Sequence, residues 1–252
     1  MNDSSNERLA IVTGTSSGLG AAIALALLAQ GWTVLGMSRR KADFSAPGYR
    51  HIQIDLADLP RLHGVADNEL APIAADPKWS RIGLVNNAGA IGSMRTLEQA
   101  DPLQLAAVFA VNVVAPVFLA GLVVRTASKA MPLRIVNVST GAATQPIPGI
   151  GDYGSSKAAL RLASMTLAAE LASSERPGGA RPDIAILSYA PGVVDTAMQQ
   201  SARAGDRPWN RLFVDFHAQG KLVPADAPAR EVVEFLSSDC EKPFTERRFD
   251  ER

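Results

Sequence analysis

Short apolar runs alternate along this chain with longer stretches of helical periodicity. Leu9-Ala10-Ile11-Val12 is wholly apolar and predicts a strand buried on both faces. Similar runs over 33–38, 82–85, 134–139 and 184–189 predict further strands, and the alternating 51–56 a third in chain order. Between them, helical patterns cover 21–30, 59–75, 102–129 and 152–173, with a last helix over 227–238. Strands and helices in strict alternation predict an α/β fold, a doubly wound parallel sheet with helices on both faces. No linker or repeat interrupts it, so residues 8–252 read as one domain behind a polar tail at 1–7. The polar stretch 196–222, carrying Trp209, Phe213 and Phe216, breaks the alternation; it reads as a substrate lid or as ordinary aromatic packing.

Composition narrows the function classes. Of 252 residues, 47% are hydrophobic, enough for one sizeable core. Lys plus Arg and Asp plus Glu balance at 25 each, which gives no basic field for nucleic acid or a membrane surface. The one cysteine, Cys240, forms no internal disulfide, which fits a reducing compartment. Residues 1–7 carry no apolar signal core, and no apolar run reads as long enough to span a bilayer. The expectation is a cytoplasmic enzyme without nucleic-acid or membrane partners.

The first strand runs into Gly14-Thr15-Ser16-Ser17-Gly18-Leu19-Gly20 and then a helix. A glycine-rich turn lets the backbone approach a pyrophosphate, and the helix start supplies N–H donors and partial positive charge. The second strand ends in Ser38-Arg39-Arg40-Lys41, where an NAD site commonly has a carboxylate for the ribose diol. Arg39 and Arg40 fit a 2′-phosphate, hence NADP(H); the alternative is a solvated basic turn. Asp55, followed by Leu56, meets an adenine amino group or caps the next helix. Asn87-Ala88-Gly89 follows the fourth strand with residues small enough for a cofactor to lie against. Asn112 lies inside a long apolar helix, and its buried amide needs partners, as in a bond to a neighbouring strand. Ser139 ends the fifth strand, at the edge where open parallel sheets bind ligands. Tyr153 and Lys157 stand one turn apart at the head of a helix, where a nearby ammonium favours phenolate. His51, His63 and His217 have no metal-ligand spacing and receive no role.

These parts, Thr13-Gly14-x-x-x-Gly18-x-Gly20, Asn86-Asn87-Ala88-Gly89, Asn112, Ser139, Tyr153-x-x-x-Lys157 and Pro191-Gly192, occur in the order of the short-chain dehydrogenase/reductase family, which the chain resembles over nearly its whole length. The resemblance implies a single-domain Rossmann fold and nicotinamide-dependent carbonyl or alcohol chemistry. It makes Tyr153 the general acid, with Lys157 lowering its pKa and holding the nicotinamide ribose. It gives Ser139 the substrate carbonyl and Asn112 a water leading to Lys157. Cofactor contacts are implied for Pro191, Gly192, Val194, Thr196 and Met198. A narrower likeness, in Ser188–Gln200 and Gly220–Val223, is to the sepiapterin reductases and bacterial benzil reductases of the family. That implies a small ketone or 1,2-dicarbonyl substrate and a homodimer or homotetramer formed through 106–124 and 158–171. The tail lacks the Asp-Gly-Gly strand of many members, reads as a frayed charged end, and places Asp250 where sepiapterin reductases hold the pterin. The alternatives are a 3-oxoacyl thioester or secondary alcohol as substrate, or a non-catalytic NADP-binding sensor, a class that often loses the Tyr or Lys retained here.

Overall fold

A computed structural model of the chain describes residues 7–240 and 242–249. Its parallel strands are β1 Glu7–Thr13, β2 Trp32–Ser38, β3 Tyr49–Gln53, β4 Trp79–Asn86, β5 Leu133–Val138, β6 Ile184–Ala190 and β7 Phe244–Arg248. They form one sheet in the order β3-β2-β1-β4-β5-β6-β7. The fully apolar runs are explained by burial on both faces. Leu9 and Ile11 of β1 enter the core beneath the helices α2 (Leu59–Val65), α5 (Ala115–Thr126) and α6 (Gly151–Ala172). Ala10 and Val12 point the other way, toward α1 (Gly18–Ala29) and α9 (Asp226–Ser237). The strand order reverses at β1 and β4, so their carboxyl ends diverge into a crevice. The single-domain α/β expectation holds.

Three local readings change. Phe244–Arg248 is not frayed: it pairs in parallel with β6 as an edge strand. Its charge did not prevent this, because an edge faces solvent and Arg161 of α6 forks onto Glu246 at 2.6 Å through both nitrogens. Second, the 102–129 helix contains a π-turn at Ala110–Val114 between α4 (Pro102–Phe109) and α5; 59–75 is likewise interrupted at Ala66–Leu70, before α3 (Ala71–Ala74). Third, Pro102–Thr126 is, at 25 residues, long and apolar enough to cross a membrane, against the sequence reading. Of its most apolar window 56% is buried in the domain, so its hydrophobicity serves the core.

Residues 196–222 form two short helices, α7 (Ala197–Arg203) and α8 (Asn210–Ala218). The excursion is closed at its base, where Val223 N–H donates to Val193 O (2.9 Å) and Asp195 N–H to Val223 O (3.0 Å).

Candidate active site

The carboxyl ends of β1, β2, β4, β5 and β6 open into one cleft of about 620 Å³. Most of the site residues read from the sequence line it: Gly14, Ser16, Ser17, Gly18, Leu19, Arg39, Arg40, Asp55, Leu56, Asn87, Ala88, Gly89, Ser139, Tyr153, Lys157, Pro191, Gly192, Val194, Thr196 and Met198. Three do not. Thr15 is fully buried beneath the turn, with its hydroxyl 2.9 Å from the Tyr49 hydroxyl. Gly20 serves packing: a Cβ there would lie 2.2 Å from Gly14 O, so only glycine lets α1 seat against the turn. Asn112 is buried in the π-turn.

The first turn of α1 carries no acidic side chain, and Ser17 at its N-cap makes no side-chain cap bond. Its N–H groups and positive end therefore face the cleft uncompensated, as an anion cradle requires. Asp55 does not cap α2; Asp58 does, accepting from Arg61 N–H at 3.1 Å. Asp55 instead accepts from Ala57 N–H at 3.0 Å and borders the cleft, where the adenine reading remains.

Asn112 is not bonded to a strand. Its amide pairs with the loop after β4: Oδ1 accepts from Ala90 N–H (2.8 Å), and Nδ2 donates to Ala90 O (2.9 Å) and Ser156 Oγ (2.9 Å). The π-turn thus braces the Ala88–Ala90 loop against α6.

Tyr153 and Lys157 share one face of α6, with the ammonium 5.8 Å from the ring centroid. Lys157 Nζ donates to Val138 O at 2.7 Å. Asp152, buried beside Tyr153, accepts from Tyr153 N–H (2.8 Å) and Ser93 N–H (3.2 Å), pinning the head of α6 to a loop that the 196–222 excursion also grips. There Arg207 donates to Ser93 O (3.0 Å) and the Trp209 indole to Met94 O (2.8 Å).

The expected depression of the Tyr153 pKa is reversed. Burial pushes the phenol up to about 12, and only the Thr140 side chain, hydrogen-bonded to it, pulls the other way. Burial pushes Lys157 down to about 8. Desolvation disfavours each charged form and dominates both shifts. Ser139 and Thr140, consecutive just after β5, both line the cleft, and the sequence reading singled out only the first.

The two values set a pH expectation. The Lys157 cation is present below about pH 8 and is lost above it, while Tyr153 keeps its proton across this range. Carbonyl reduction that needs the cation falls as pH rises through about 8, approaching tenfold per unit. A profile of kcat/KM from pH 6 to 10 tests this; a plateau to pH 9.5 contradicts it.

The comparisons agree with this geometry. The family model described as short chain dehydrogenase matches residues 8–207. The chain belongs to that family. It is 36% identical over 210 residues to the benzil reductase ((S)-benzoin forming) of Bacillus subtilis (strain 168), covering 83% of this chain and 81% of that one. It is 30% identical over 257 residues to the sepiapterin reductase of Xenopus tropicalis, covering 93% of each. Among solved structures, the KRED1-Pglu enzyme superposes with a TM-score of 0.74 at 27% identity, over 94% of this chain and all of that one. The short-chain dehydrogenase/reductase of Burkholderia vietnamiensis does so at 0.67 and 31%, over 79% of this chain and 89% of that one. The chain is thus an oxidoreductase of a family that binds a nicotinamide dinucleotide. The residues present fit that group: a glycine turn at an uncompensated helix start, small residues after β4, and a cleft reaching from Arg39 to Tyr153.

Proposed function

We propose that this enzyme is an NADPH-dependent reductase of neutral, apolar ketones and 1,2-dicarbonyls of the benzil type. The observation that carries this is the far end of the cleft, lined by Ile91, Ile147, Ile150, Leu212, Phe213 and Phe216. Charged side chains among the described lining residues are Arg39, Arg40 and Asp55 at the cofactor end, and Lys157 beside Tyr153. Phe213 and Phe216 therefore both pack and line the pocket, whereas Trp209 packs without lining it. The names of the similar benzil and sepiapterin reductases point the same way.

When bound, the nicotinamide supplies the hydride to the carbonyl carbon. This chain's residues do the rest. Tyr153, protonated at neutral pH, gives its proton to the carbonyl oxygen as negative charge grows there. Thr140 accepts from Ala142 N–H at 3.4 Å, keeping its own proton for the phenol or the substrate oxygen. Ser139 and Thr140 both line the cleft with Tyr153, and Ser139 is proposed as the second hydroxyl for the substrate oxygen. Lys157 holds positive charge one helical turn away and faces the ribose site, and Asn112 holds the adjoining loop in place through Ala90. The lid shuts out water from above.

A pterin reading rests on Asp250, which lies outside the described residues. Self-association is proposed through exposed apolar side chains on α4, α5 and α6: Leu103 at 80%, Val117 at 43% and Leu162 at 63% exposure. A cytoplasmic setting is proposed on the same footing.

A panel of benzil, sepiapterin, a short aliphatic diketone and a 3-oxoacyl thioester tests the substrate class by NADPH oxidation. Burying one phenyl ring against these side chains is worth about 2 kcal/mol, roughly thirtyfold. Benzil should therefore lead the aliphatic diketone in kcat/KM by at least about tenfold. A thioester or sepiapterin in first place would overturn the reading.

A further inference from the structure

Behind the Arg39–Arg40 turn lies a polar cluster that the reaction does not use. The Ser38 hydroxyl is 2.8 Å from Arg40 O, 3.0 Å from His51 Nε2 and 3.5 Å from Thr15 Oγ1, and Thr15 Oγ1 is in turn 2.9 Å from the Tyr49 hydroxyl. A carbonyl only accepts, so Ser38 spends its one proton on Arg40 O. His51 must then give Ser38 its Nε2–H. Thr15 and Tyr49 donate in the same direction, through the longer and weaker Thr15–Ser38 link. Burial and the nearby Lys41 cation hold the His51 imidazole below its ordinary pKa, which suits a neutral ring with hydrogen on Nε2. Burial raises the Tyr49 pKa, so its phenol keeps the proton it donates. The neighbouring carbonyl, Arg39 O, is held at 3.0 Å by Gln53 Nε2. The fold leaves room for this cluster: a Cβ on Gly36 would lie 2.2 Å from the Tyr49 hydroxyl.

We propose that His51, Ser38, Thr15 and Tyr49 form a cofactor-specificity device, in which a hydrogen-bond chain that gathers on the Ser38 hydroxyl and ends on Arg40 O pre-sets the turn that offers Arg39 and Arg40 to a 2′-phosphate. It rests on the NADP(H) reading above. Both guanidiniums are exposed at the mouth of the cleft, on long side chains with much rotamer freedom. A fixed backbone removes part of the ordering that phosphate binding otherwise costs. His51 touches neither guanidinium in this scheme; it is a positioning residue acting through Ser38. The same cluster joins the glycine turn, through Thr15, to the end of β2, so the pyrophosphate and 2′-phosphate ends of the cofactor site are held in one register.

Direct titration of NADPH and NADH against the purified protein, followed by nicotinamide fluorescence, tests this without turnover. Losing one hydrogen bond to the turn should weaken NADPH about tenfold in His51→Leu and leave NADH within about twofold. His51→Gln, whose amide N–H can replace the Nε2–H, should restore most of the NADPH affinity. Tyr49→Phe, a mild change that removes only the far donor, should weaken NADPH about threefold. Equal loss for both cofactors would mean a merely structural role and overturn the inference. So would an unchanged NADPH-to-NADH ratio in both His51→Leu and Tyr49→Phe. A wild-type protein that binds the two cofactors equally would instead overturn the NADP(H) reading itself.

Discussion

Tyr153→Phe should lower carbonyl turnover by about three powers of ten, because it deletes the proton donor and leaves the ring that packs against the 196–222 excursion. Removing a positioned general acid costs roughly 10²–10⁴ in rate. The upper half of that range is expected here, since Tyr153 is partly buried against the 196–222 segment, which limits its replacement by water. NADPH affinity should stay within about twofold, because the glycine turn, Arg39 and Arg40 are untouched. Stopped turnover with intact cofactor binding, measured by NADPH oxidation and by titration on one preparation, is the expected pair of results. Near-normal turnover would sink Tyr153 as the acid. Thr140→Val and Ser139→Ala provide the internal comparison: both hydroxyls line the cleft, and the variant that loses more turnover identifies the second donor to the substrate oxygen.

What the sequence revealed and what it hid divide along physical lines. The strands were legible where both faces are buried, since burial leaves no choice but apolar residues, as in Leu9 to Val12. The edge strand Phe244–Arg248 was illegible for the converse reason: three of its five residues are exposed, and its pairing is secured by Arg161, 85 positions away. Thr140 was hidden by adjacency. Two hydroxyls in a row at a strand end look alike, and both come to line the cleft as the chain leaves β5 after Val138. The direction of the Tyr153 shift was hidden too. Spacing shows that an ammonium is near, but not how much water the surrounding fold strips from the phenol, and that desolvation decides the sign. His51 carried no motif at all; its partner Ser38 is 13 positions away on a neighbouring strand, reachable only once β2 and β3 pair.

Replacing Arg39 and Arg40 together by Ala should bring the protein from a clear NADPH preference to near parity. Each charge-assisted bond to a phosphate is worth about 1.5–3 kcal/mol. Both side chains are exposed, so solvent and salt screen them and the lower end applies. Two such losses come to about 3 kcal/mol, a rise of roughly a hundredfold in the NADPH Kd. NADH has no 2′-phosphate and should bind within about twofold of wild type. Raising the salt from 50 to 500 mM should itself weaken NADPH binding to the wild type and barely affect the double variant, because the screened charges are then gone. That salt contrast separates direct phosphate contacts from a damaged turn: a turn that had merely lost its shape would also weaken the wild type's salt-independent share, carried by the α1 cradle, and NADH would weaken in step. Among the described residues neither arginine is held in an ion pair with a protein carboxylate, so no internal partner has to be given up when a phosphate arrives. An NADPH Kd that moves less than threefold would mean that the two guanidiniums are a solvated turn and that the 2′-phosphate is recognised elsewhere.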